Sequence, residues 1–463
     1  MKNWKKIVGC LAGAALALNM NAQQVQGFVH EQSKATDYVW PTDPQVLEKL
    51  DKWQDLKFGV LFHWGLYSVP GIVESWSICS EDVDWISRKE NLPYVEYKKW
   101  YFGLKDKLNP VNFNPEQWAD VMEDAGIKYM LFTSKHHDGF CTFDSKYTDF
   151  SIANGPFKDN PRKDVAYHVW DAFRKKGFMM GCYFSKPDWH TEWYWNPYYA
   201  TPNRRHNYNV KLHPEWWKNY QEFTENQLNE LMSNYGSFDI LWLDGGWVKG
   251  EEVGLDKLLA EVRSTTQPGL ISVDRAIKGR NENYQTPERG IPAKQLNYPW
   301  ESCITLSHDW GWVANPVFKT PRKVIGMLAE ICAKGGSLAL GVGPTPQGLI
   351  QPEVESILQE IGAWLKVNGK AIYNTRITPN YNTGNVWFTA DKNEKTLYAI
   401  YALPDGEELP ETIEWEGNEP AGRMTLLKGK RAVSYTYKDG KVTVKLPKGL
   451  KNEPLAFSFN VKK

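Results

Sequence analysis

The sequence has no excess of charge of either sign, because its 463 residues include 55 Lys and Arg against 55 Asp and Glu. Proteins that bind nucleic acid or anionic membrane surfaces through their net charge carry a basic excess. We therefore expect neither nucleic acid nor a charged membrane surface as a partner.

Long apolar runs are absent after the N-terminal segment, so we expect no membrane insertion. Residues 1–22 begin with the basic MKNWKK, continue with the apolar IVGCLAGAALAL and end at the small residue Ala22. This apolar run is too short to span a bilayer, and the order of the parts is typical of a secretory signal peptide. We expect an exported protein, either periplasmic or secreted.

Cysteine is scarce, with 6 in the chain, of which Cys10 belongs to the signal segment. The remaining five have wide, unpatterned spacings, which are typical of neither a disulfide framework nor a zinc site. Several lie in apolar, strand-like runs, which indicates small buried side chains. The five are Cys79, Cys141, Cys182, Cys303 and Cys332.

No Gly-rich nucleotide-binding turn follows the first strand-like run, KFGVLFHWG. From residue 57 to about residue 345, short apolar runs alternate with helical patterns such as PEQWADVMEDAG. Almost continuous apolar runs indicate strands that are buried on both faces of a parallel sheet. The alternation predicts a (β/α)8-like barrel, TIM-type and possibly irregular, with an open doubly wound sheet as the alternative.

The pattern changes after a last helical stretch, PEVESILQEIGAWLKVNG. Apolar and polar residues then alternate with a period of two between turn signals such as KDGK, which predicts an antiparallel β-sandwich. We therefore predict a signal peptide over residues 1–22, a catalytic barrel over 23–372 and a C-terminal β-sandwich over 373–463.

Aromatic residues are abundant, at 14 % of the chain, and many stand among polar residues, as in HTEWYWNPYY. In a barrel of this type, catalytic residues lie at the C-terminal ends of the strands. The ends of the predicted strands and the loops after them carry a set of polar residues: His63, His136, His137, Asp138, Tyr183, Asp188, Asp244, Asp274, Arg275, Glu288 and Glu301. Asp244 alone could be a turn cap before Gly245, but the whole set predicts one polar, aromatic-walled pocket.

Such a pocket suits the cleavage of a glycosidic bond. One carboxyl group attacks the anomeric carbon or activates water, and a second protonates the leaving oxygen. Histidine and arginine side chains can hold sugar hydroxyls, and aromatic rings can cover the apolar faces of a sugar. A metal hydrolase is the alternative, since HHD can suggest metal ligands. Adjacent strand residues point to opposite faces, however, so we expect no metal.

Several motifs follow one another between residues 58 and 344: FGVLFHWGLYSVP, TSKHHDGF, DILWLDGGW, VDR, TPE, WESC, WGW and KGGSLALGVGP. With them the chain resembles the α-L-fucosidases of glycoside hydrolase family 29. The resemblance implies a catalytic barrel followed by a β-sandwich. It also implies a retaining exo-enzyme that forms a covalent glycosyl-enzyme and needs no cofactor.

Matching positions imply roles for individual residues. Asp244 matches the nucleophile and Arg275 matches an arginine close to it. Many members have a glutamate directly before the tryptophan of ESWS, whereas here Ser75 stands there and Glu74 lies one place back. The residues that we expect to bind the sugar are His63, Glu74, Trp76, His136, His137, Tyr183, Trp242, Arg275 and Trp300.

Two glutamates compete for the role of acid/base. Glu288, in YQTPERG, matches the loop that supplies this group in several members, and a loop residue can approach the sugar from the side opposite the nucleophile. Glu301, in PWESC, is the alternative, although it can also be a strand glutamate that hydrogen-bonds inside the barrel. We favour Glu288, and we expect burial or the nearby Asp244 to raise the pKa of the acid.

The sequence thus predicts an exo-acting, retaining α-L-fucosidase that hydrolyses fucosylated glycans or oligosaccharides by double displacement. One alternative is an exo-glycosidase for a fucose-like sugar, such as an α-L-galactosidase. Another is a carbohydrate-binding protein that has lost catalysis. The sequence is compatible with a homo-oligomer and does not indicate the fucosyl linkage that is preferred.

Overall fold

The computed structural model of the chain describes residues 38–461 except 82, 84, 87 and 89. The signal peptide predicted over residues 1–22 lies outside these described residues. The α-helices of the described part are α1 (Pro44–Leu56), α2 (Tyr94–Phe102), α3 (Pro115–Asp124), α4 (Val165–Lys175), α5 (Pro214–Asn234), α6 (Leu255–Ser264), α7 (Pro321–Ala333) and α8 (Pro352–Asn368).

Seven parallel strands form the first sheet and alternate with these helices along the chain. They are β1 (Phe58–Phe62), β2 (Tyr129–Lys135), β3 (Met179–Ser185), β4 (Ile240–Asp244), β5 (Ile271–Asp274), β6 (Glu301–Thr305) and β7 (Ser337–Val342). The strand order is β5-β4-β3-β2-β1-β7-β6, so neighbours in sequence are neighbours in space around a curled sheet. A doubly wound sheet would reverse direction at a switch point, and this order does not. The predicted barrel is confirmed.

The eighth position of the barrel, between β5 and β6, is occupied by an irregular segment, residues 282–288. Glu282 pairs with Val273 of β5 in an antiparallel bridge. At its other end, Glu288 pairs with Cys303 of β6 in a parallel bridge. We call residues 282–288 the seam segment, because isolated bridges rather than a ladder join it to the sheet. The expected irregularity of the barrel lies here.

The helices start where local signals predict. At α3, Pro115 follows Asn114, whose side chain accepts a hydrogen bond from the backbone N–H of Gln117 at 3.2 Å. At α7, Thr320 caps Lys323 in the same way at 3.1 Å. The apolar faces of the helices cover the outer face of the sheet, and a second apolar cluster fills the barrel interior.

The C-terminal region forms two antiparallel sheets with a common core. Its strands are β8 (Thr375–Arg376), β9 (Asn382–Thr383), β10 (Val386–Asp391), β11 (Leu397–Tyr401), β12 (Thr412–Glu416), β13 (Met424–Leu426), β14 (Arg431–Val433), β15 (Tyr435–Lys438), β16 (Lys441–Lys445) and β17 (Leu455–Phe459). Trp415 of β12 packs against Phe388 and Phe459 of the other sheet, which makes the region a β-sandwich, as predicted. The boundary at residues 372 and 373 stays a prediction.

The five cysteines outside the signal segment are buried and unpaired in the described structure, in agreement with the expectation from their spacing. Among the described helices, none is both long and apolar enough to cross a membrane.

Candidate active site

A cavity of about 370 Å³ opens at the C-terminal ends of the barrel strands. Ten of the twelve residues that we predicted for the site line it, and Glu301 and Trp300 do not. The lining residues are Leu61, His63, Val73, Glu74, Trp76, Trp85, His136, His137, Tyr183, Arg204, Trp242, Asp244, Trp247, Arg275, Glu288, Arg289, His308, Asp309 and Trp310.

Asp244 is the last residue of β4, and the turn after it fixes the direction of its carboxylate. Gly245 has a φ of 84°, and a Cβ there would lie 2.2 Å from Cδ of Pro187, so only glycine fits. The N–H of Gly245 donates to Oδ1 of Asp244 at 2.8 Å. Oδ2 accepts a hydrogen bond from the Tyr183 hydroxyl at 2.6 Å. The carboxylate is therefore held by hydrogen bonds at both oxygens.

Arg275, which directly follows β5, controls the charge of Asp244. Its Nη1 donates to Oδ1 of Asp244 at 3.0 Å. Burial alone would raise the pKa of this carboxyl, but the charge of Arg275 and the hydrogen bond from Tyr183 hold the pKa well below its usual value. Asp244 is thus an ionised carboxylate inside a cavity with little access to water.

Glu288, at the end of the seam segment, shares this guanidinium. Nη2 of Arg275 donates to Oε2 of Glu288, and the indole N–H of Trp310 donates to Oε1 at 3.2 Å. One guanidinium therefore bridges two carboxyl groups that come from different parts of the barrel. Both carboxyl groups line the same cavity.

Three histidines form part of the same wall. His63 follows β1, while His136 and His137 follow β2, and the ring centres of His136 and His137 are 4.3 Å apart. Nδ1 of His136 lies 2.6 Å from the Ser75 hydroxyl, and Nδ1 of His137 lies 2.7 Å from Oγ of Ser185. Nε2 of His137 lies 3.7 Å from Oδ2 of the nucleophile candidate.

All three histidines are buried, and burial favours their neutral forms. Burial lowers the pKa of His136 to about 4. Burial, followed by the proximity of His136, lowers the pKa of His63 and of His137 well below the usual value. Neutral imidazoles offer one N–H donor and one nitrogen acceptor each, which suits the recognition of sugar hydroxyls.

Glu74 and Trp76 enter the wall through a short helical turn, Ser75–Ile78. Oε1 of Glu74 accepts a hydrogen bond from the backbone N–H of Trp310 at 2.9 Å. Burial, and then the negative charge of Asp309, raises the pKa of Glu74 to about 8. The ring of Trp76 contacts that of His137 edge-on at 5.3 Å. The extra residue between Glu74 and Trp76 thus leaves both side chains at the cavity.

Trp242 and Glu301 show where the cavity ends and the barrel interior begins. The Trp242 ring stacks on Tyr183 at 5.1 Å, and its indole N–H donates inward to Oε1 of Glu301 at 3.2 Å. Glu301 is completely buried and also accepts a hydrogen bond from the Tyr129 hydroxyl at 2.7 Å. Glu301, the alternative acid/base, therefore lies in the barrel interior and does not line the cavity, whereas Trp242 does.

Trp300, which we expected to bind the sugar, does not line the cavity. Its ring packs where a Cβ on Gly336 would lie 2.5 Å away, and its indole N–H donates to the carbonyl of Lys334 at 3.3 Å. Trp300 precedes β6 and therefore lies at the N-terminal end of the barrel strand, opposite the cavity. Its position next to Glu301 in sequence gave no information about this.

Three other strand-end carboxylates turn away from the cavity into internal pairs. Asp188 binds the buried Nζ of Lys135 at 3.1 Å. Asp274 forms a buried ion pair with Lys186. Asp138 accepts a hydrogen bond from the Tyr101 hydroxyl at 2.7 Å. These are structural groups that a list of strand ends cannot separate from cavity groups.

The structure adds a rim of residues that the sequence reasoning missed. The guanidinium of Arg204 lies 4.6 Å from the ring centre of Trp76 and 5.1 Å from that of Trp247, at distances typical of cation–π contacts. Trp247 and Trp310 stand inside the motifs DGGW and WGW, which could have revealed them. Arg204 lies in the irregular stretch between β3 and α5, where no spacing points to it. The other missed residues are Val73, Leu61, Trp85, Arg289, His308 and Asp309.

One set of side chains could in principle hold a metal ion. Ligand atoms of His136, His137 and Asp244 lie within 4.8 Å of one another. The guanidinium of Arg275 already neutralises Asp244, however, and its positive charge disfavours a divalent cation at the same carboxylate. The arrangement fits the recognition of hydroxyl groups around an ionised carboxylate better than metal binding.

Comparison with known proteins gives agreeing results at the level of sequence. The sequence model of the family described as Alpha-L-fucosidase matches residues 25–370. Plasma alpha-L-fucosidase from Homo sapiens is 30 % identical over 377 residues, which cover 76 % of this chain and 76 % of that protein.

Solved structures are similar over most of the chain. Alpha-L-fucosidase isoenzyme 1 from Paenibacillus thiaminolyticus has a TM-score of 0.74 and 28 % identity, covering 90 % of this chain and 100 % of that one. A GH29 alpha-L-fucosidase from Bacteroides thetaiotaomicron has a TM-score of 0.71 and 25 % identity, covering 90 % and 96 %. That structure is described as a covalent intermediate, trapped with 2-fluoro-fucosyl fluoride in a variant with glutamine in place of a glutamate.

Proposed function

The chain belongs to the alpha-L-fucosidase family of glycoside hydrolases, and from this premise we propose that it removes terminal α-L-fucose from glycans or oligosaccharides with retention of anomeric configuration. The observation that carries the proposal is the bridge that Arg275 makes between Asp244 and Glu288 at one cavity. The two carboxyl groups of a double displacement would thus stand on either side of one positive charge.

Asp244 is the proposed nucleophile. Its pKa is held well below the usual value, which favours the ionised carboxylate that attack requires. Hydrogen bonds from Tyr183 and Arg275 fix its direction, which lowers the entropy cost of attack on the anomeric carbon. The attack forms a bond between an oxygen of Asp244 and the anomeric carbon while the glycosidic bond breaks.

Glu288 is the proposed acid/base. In the complex with substrate it would carry a proton, which it gives to the leaving oxygen in the first step and recovers from water in the second step. The hydrogen bonds from Arg275 and Trp310 to its carboxylate must weaken before it can act as an acid. We propose that substrate binding between the two carboxyl groups displaces Arg275 from Glu288.

Retention is supported by spacing. Retaining glycosidases hold the two carboxyl groups about 5–5.5 Å apart, whereas inverting ones leave about 6.5–9.5 Å for a water molecule. Asp244 and Glu288 both contact the guanidinium of Arg275, and we propose that their separation is of the shorter kind. The covalent intermediate trapped in the Bacteroides thetaiotaomicron relative supports the same mechanism.

Action at the chain end is supported by the shape of the cavity. Trp242 closes its floor, with 1 % of its side chain exposed, and the histidines and Trp76 surround the space above it. The polar groups suit sugar hydroxyls, and Leu61 and Val73 offer apolar surface for the methyl group that distinguishes fucose from L-galactose. One terminal sugar would fill the inner part, and the rim at Arg204 and Trp85 would face the rest of the glycan.

Two measurements test the proposal. Hydrolysis of an aryl α-L-fucoside, followed by NMR within the first minutes, should release α-L-fucose before mutarotation; release of the β anomer would contradict retention. Turnover of the matching aryl α-L-galactoside should be lower by about tenfold or more, since one added hydroxyl meets an apolar surface. A higher rate on the galactoside, or no release of either sugar, would contradict the proposed substrate.

The remaining predictions from the sequence belong to the proposal as well. We propose that residues 1–22 direct export and are removed, and that the catalytic unit, 23–372, works next to a separate β-sandwich over 373–463. N-terminal sequencing of the exported protein tests the first point: a mature N-terminus inside residues 1–22 would contradict it.

A further inference from the structure

His136 and His137 are adjacent in sequence and both line the cavity, but different hydroxyl groups hold their rings. A neutral imidazole carries one proton, on Nδ1 or on Nε2, and the hydrogen-bond partner of one nitrogen selects between them. Ser75 and Ser185 are both completely buried. Bulk water therefore does not compete for the hydrogen bonds between their hydroxyl groups and the two rings. The other contacts of each hydroxyl therefore decide where each imidazole proton lies.

Ser185 fixes the proton of His137 on Nδ1. The Ser185 hydroxyl donates its single proton to the carbonyl of Pro187 at 2.9 Å, and a carbonyl can only accept. The hydroxyl oxygen, 2.7 Å from Nδ1 of His137, is then left as an acceptor for that nitrogen. Nε2 of His137 consequently carries a lone pair. It lies 3.7 Å from Oδ2 of Asp244, too far for a direct hydrogen bond, and is open to a hydroxyl donor.

Ser75 has the opposite effect on His136. Its oxygen accepts the backbone N–H of Asp138 at 3.1 Å, and an amide N–H can only donate. The proton of the Ser75 hydroxyl is then directed to Nδ1 of His136 at 2.6 Å. This leaves the proton of His136 on Nε2.

The Asp138 carboxyl also lies beside the Ser75 hydroxyl and competes for its proton. Its two oxygens already accept hydrogen bonds from the N–H of Phe140 at 3.0 Å and from the Tyr101 hydroxyl at 2.7 Å. The competing arrangement would place the His136 proton on Nδ1. It is the outcome that the experiment below has to separate from the one favoured here.

We infer that Ser75 and Ser185 hold the two neighbouring histidines in opposite tautomers, so that His136 presents an N–H donor and His137 a nitrogen acceptor to hydroxyls of the bound sugar. The inference rests on the proposed function and deepens it. One sugar hydroxyl then has to accept a hydrogen bond from His136, and another has to donate one to His137. This requirement on the sugar is more specific than the presence of two polar side chains. Ser75 and Ser185 are positioning residues, since they act through the histidines.

Two observations support this arrangement. Burial lowers the pKa of both histidines, so each ring is neutral and has one donor and one acceptor rather than two donors. His63 gives the contrast within the same wall: in the described structure its buried Nδ1 has no hydrogen-bond partner, so no protein group selects its tautomer.

NMR of the enzyme without ligand tests the inference directly. The chain has 9 histidines, and selective ¹⁵N labelling of histidine rings, with His136→Gln and His137→Gln for assignment, reports which nitrogen is protonated. The expected result is a proton on Nε2 of His136 and on Nδ1 of His137 across the pH range of activity. Protonation of the same nitrogen in both rings, or the reverse assignment, would overturn it. Because no substrate is used, this result does not depend on whether the sugar is fucose.

Kinetics of three serine variants give a second readout. Ser75→Ala and Ser185→Ala should each raise KM for an aryl α-L-fucoside by about tenfold, with a mixture of tautomers at the affected ring. Ser75→Thr keeps a hydroxyl and should restore both the KM and the NMR signature.

Ser134→Ala is the matched control. Its buried hydroxyl donates to the carbonyl of Tyr183 at 2.6 Å and contacts no histidine ring nitrogen. This variant should keep KM within about twofold and leave both tautomers unchanged. If Ser134→Ala changed KM as much as Ser75→Ala and Ser185→Ala do, the effect would be general packing and the inference would fail.

Discussion

The cavity end of the barrel and the barrel interior both contain carboxyl groups at or near strand ends, but the carboxyl groups of the two regions have different hydrogen-bond partners. In the cavity, Asp244 and Glu288 share the guanidinium of Arg275. In the interior, Glu301 accepts hydrogen bonds from Tyr129 and Trp242. Glu288 pairs with Cys303, two residues after Glu301, so the groups are close along the barrel and separated by the direction of their side chains.

The pKa values of Asp244 and Glu301 shift in opposite directions. Arg275, acting against burial, holds the pKa of Asp244 well below its usual value. Burial raises the pKa of Glu301 to about 7, because its partners are hydroxyl and indole groups without charge. Asp188 and Asp274 are also paired with cations but do not line the cavity, so access to the cavity, rather than a cation or burial, separates the two regions. Four predictions test this division, from the largest expected effect to the smallest.

Removal of the cavity carboxylate should have the largest effect. Asp244→Ala should lower kcat for an aryl α-L-fucoside by about 10⁴-fold or more, because no group remains to form the covalent intermediate. Added azide should restore part of the turnover and give a fucosyl azide of inverted configuration. The matched control is Glu301→Gln, which keeps an amide of the same shape in the interior and should retain activity. A variant at position 244 with one-tenth of the original kcat would contradict the assignment.

The dependence of the rate on the leaving group of the substrate distinguishes the roles of Glu288 and Glu301. Glu288→Ala should slow hydrolysis of a fucosyl oligosaccharide by about 10²–10⁴-fold, because its leaving alcohol needs a proton. A fucoside with a strongly acidic phenol as leaving group should be affected much less in the first step. If Glu301→Ala gave this dependence on the leaving group and Glu288→Ala did not, the division between cavity and interior would be reversed.

An interior ion pair should affect stability and leave the chemistry intact. Lys135→Met leaves the buried Asp188 without its cation, which should lower the free energy of unfolding by about 3–5 kcal/mol. The measurement is urea unfolding, with kcat per folded molecule determined in parallel. The double variant Lys135→Met with Asp188→Asn should recover part of the loss. A large drop in kcat with unchanged stability would place this pair with the cavity groups.

The raised pKa of Glu301 gives the smallest expected effect, which depends on pH. The pKa of Glu301 is about 7 in the folded state and has the usual value of 4.5 in the unfolded state. The stability that this group contributes is therefore present below pH 4.5 and is lost as the pH rises to 7, at about 1.4 kcal/mol per pH unit. Glu301→Gln should remove this pH dependence, which amounts to about 3 kcal/mol in the free energy of unfolding between pH 4.5 and pH 7. Equal pH profiles for variant and wild type would show that Glu301 is not buried as an acid.

Much of the fold could be predicted from local patterns. The apolar runs of β1 to β7 and the helices between them have lengths and spacings that specify a parallel barrel. The seam segment could not be predicted as part of the wall, because its isolated bridges depend on partners at residues 273, 300 and 303 rather than on its own pattern.

The site was predictable to the extent that strand ends converge. His63, His136 and Asp244 follow strands and therefore reach the cavity. Trp300 was misplaced because it stands before β6 rather than after it. Arg204 was missed because a long irregular connection brings it to Trp76, and such contacts leave no periodic trace in sequence. The tautomers of His136 and His137 depend on single hydroxyl protons, which only three-dimensional contacts can assign.

The way in which the seam segment is attached has a consequence for adapting this enzyme. Asp244, the proposed nucleophile, ends a strand that is paired with both of its neighbours, whereas Glu288, the proposed acid/base, belongs to a segment that only isolated bridges join to the sheet. A different segment with its own glutamate can therefore be introduced between β5 and β6 while the position of Asp244 is unchanged. Libraries that aim at new leaving groups should be concentrated there.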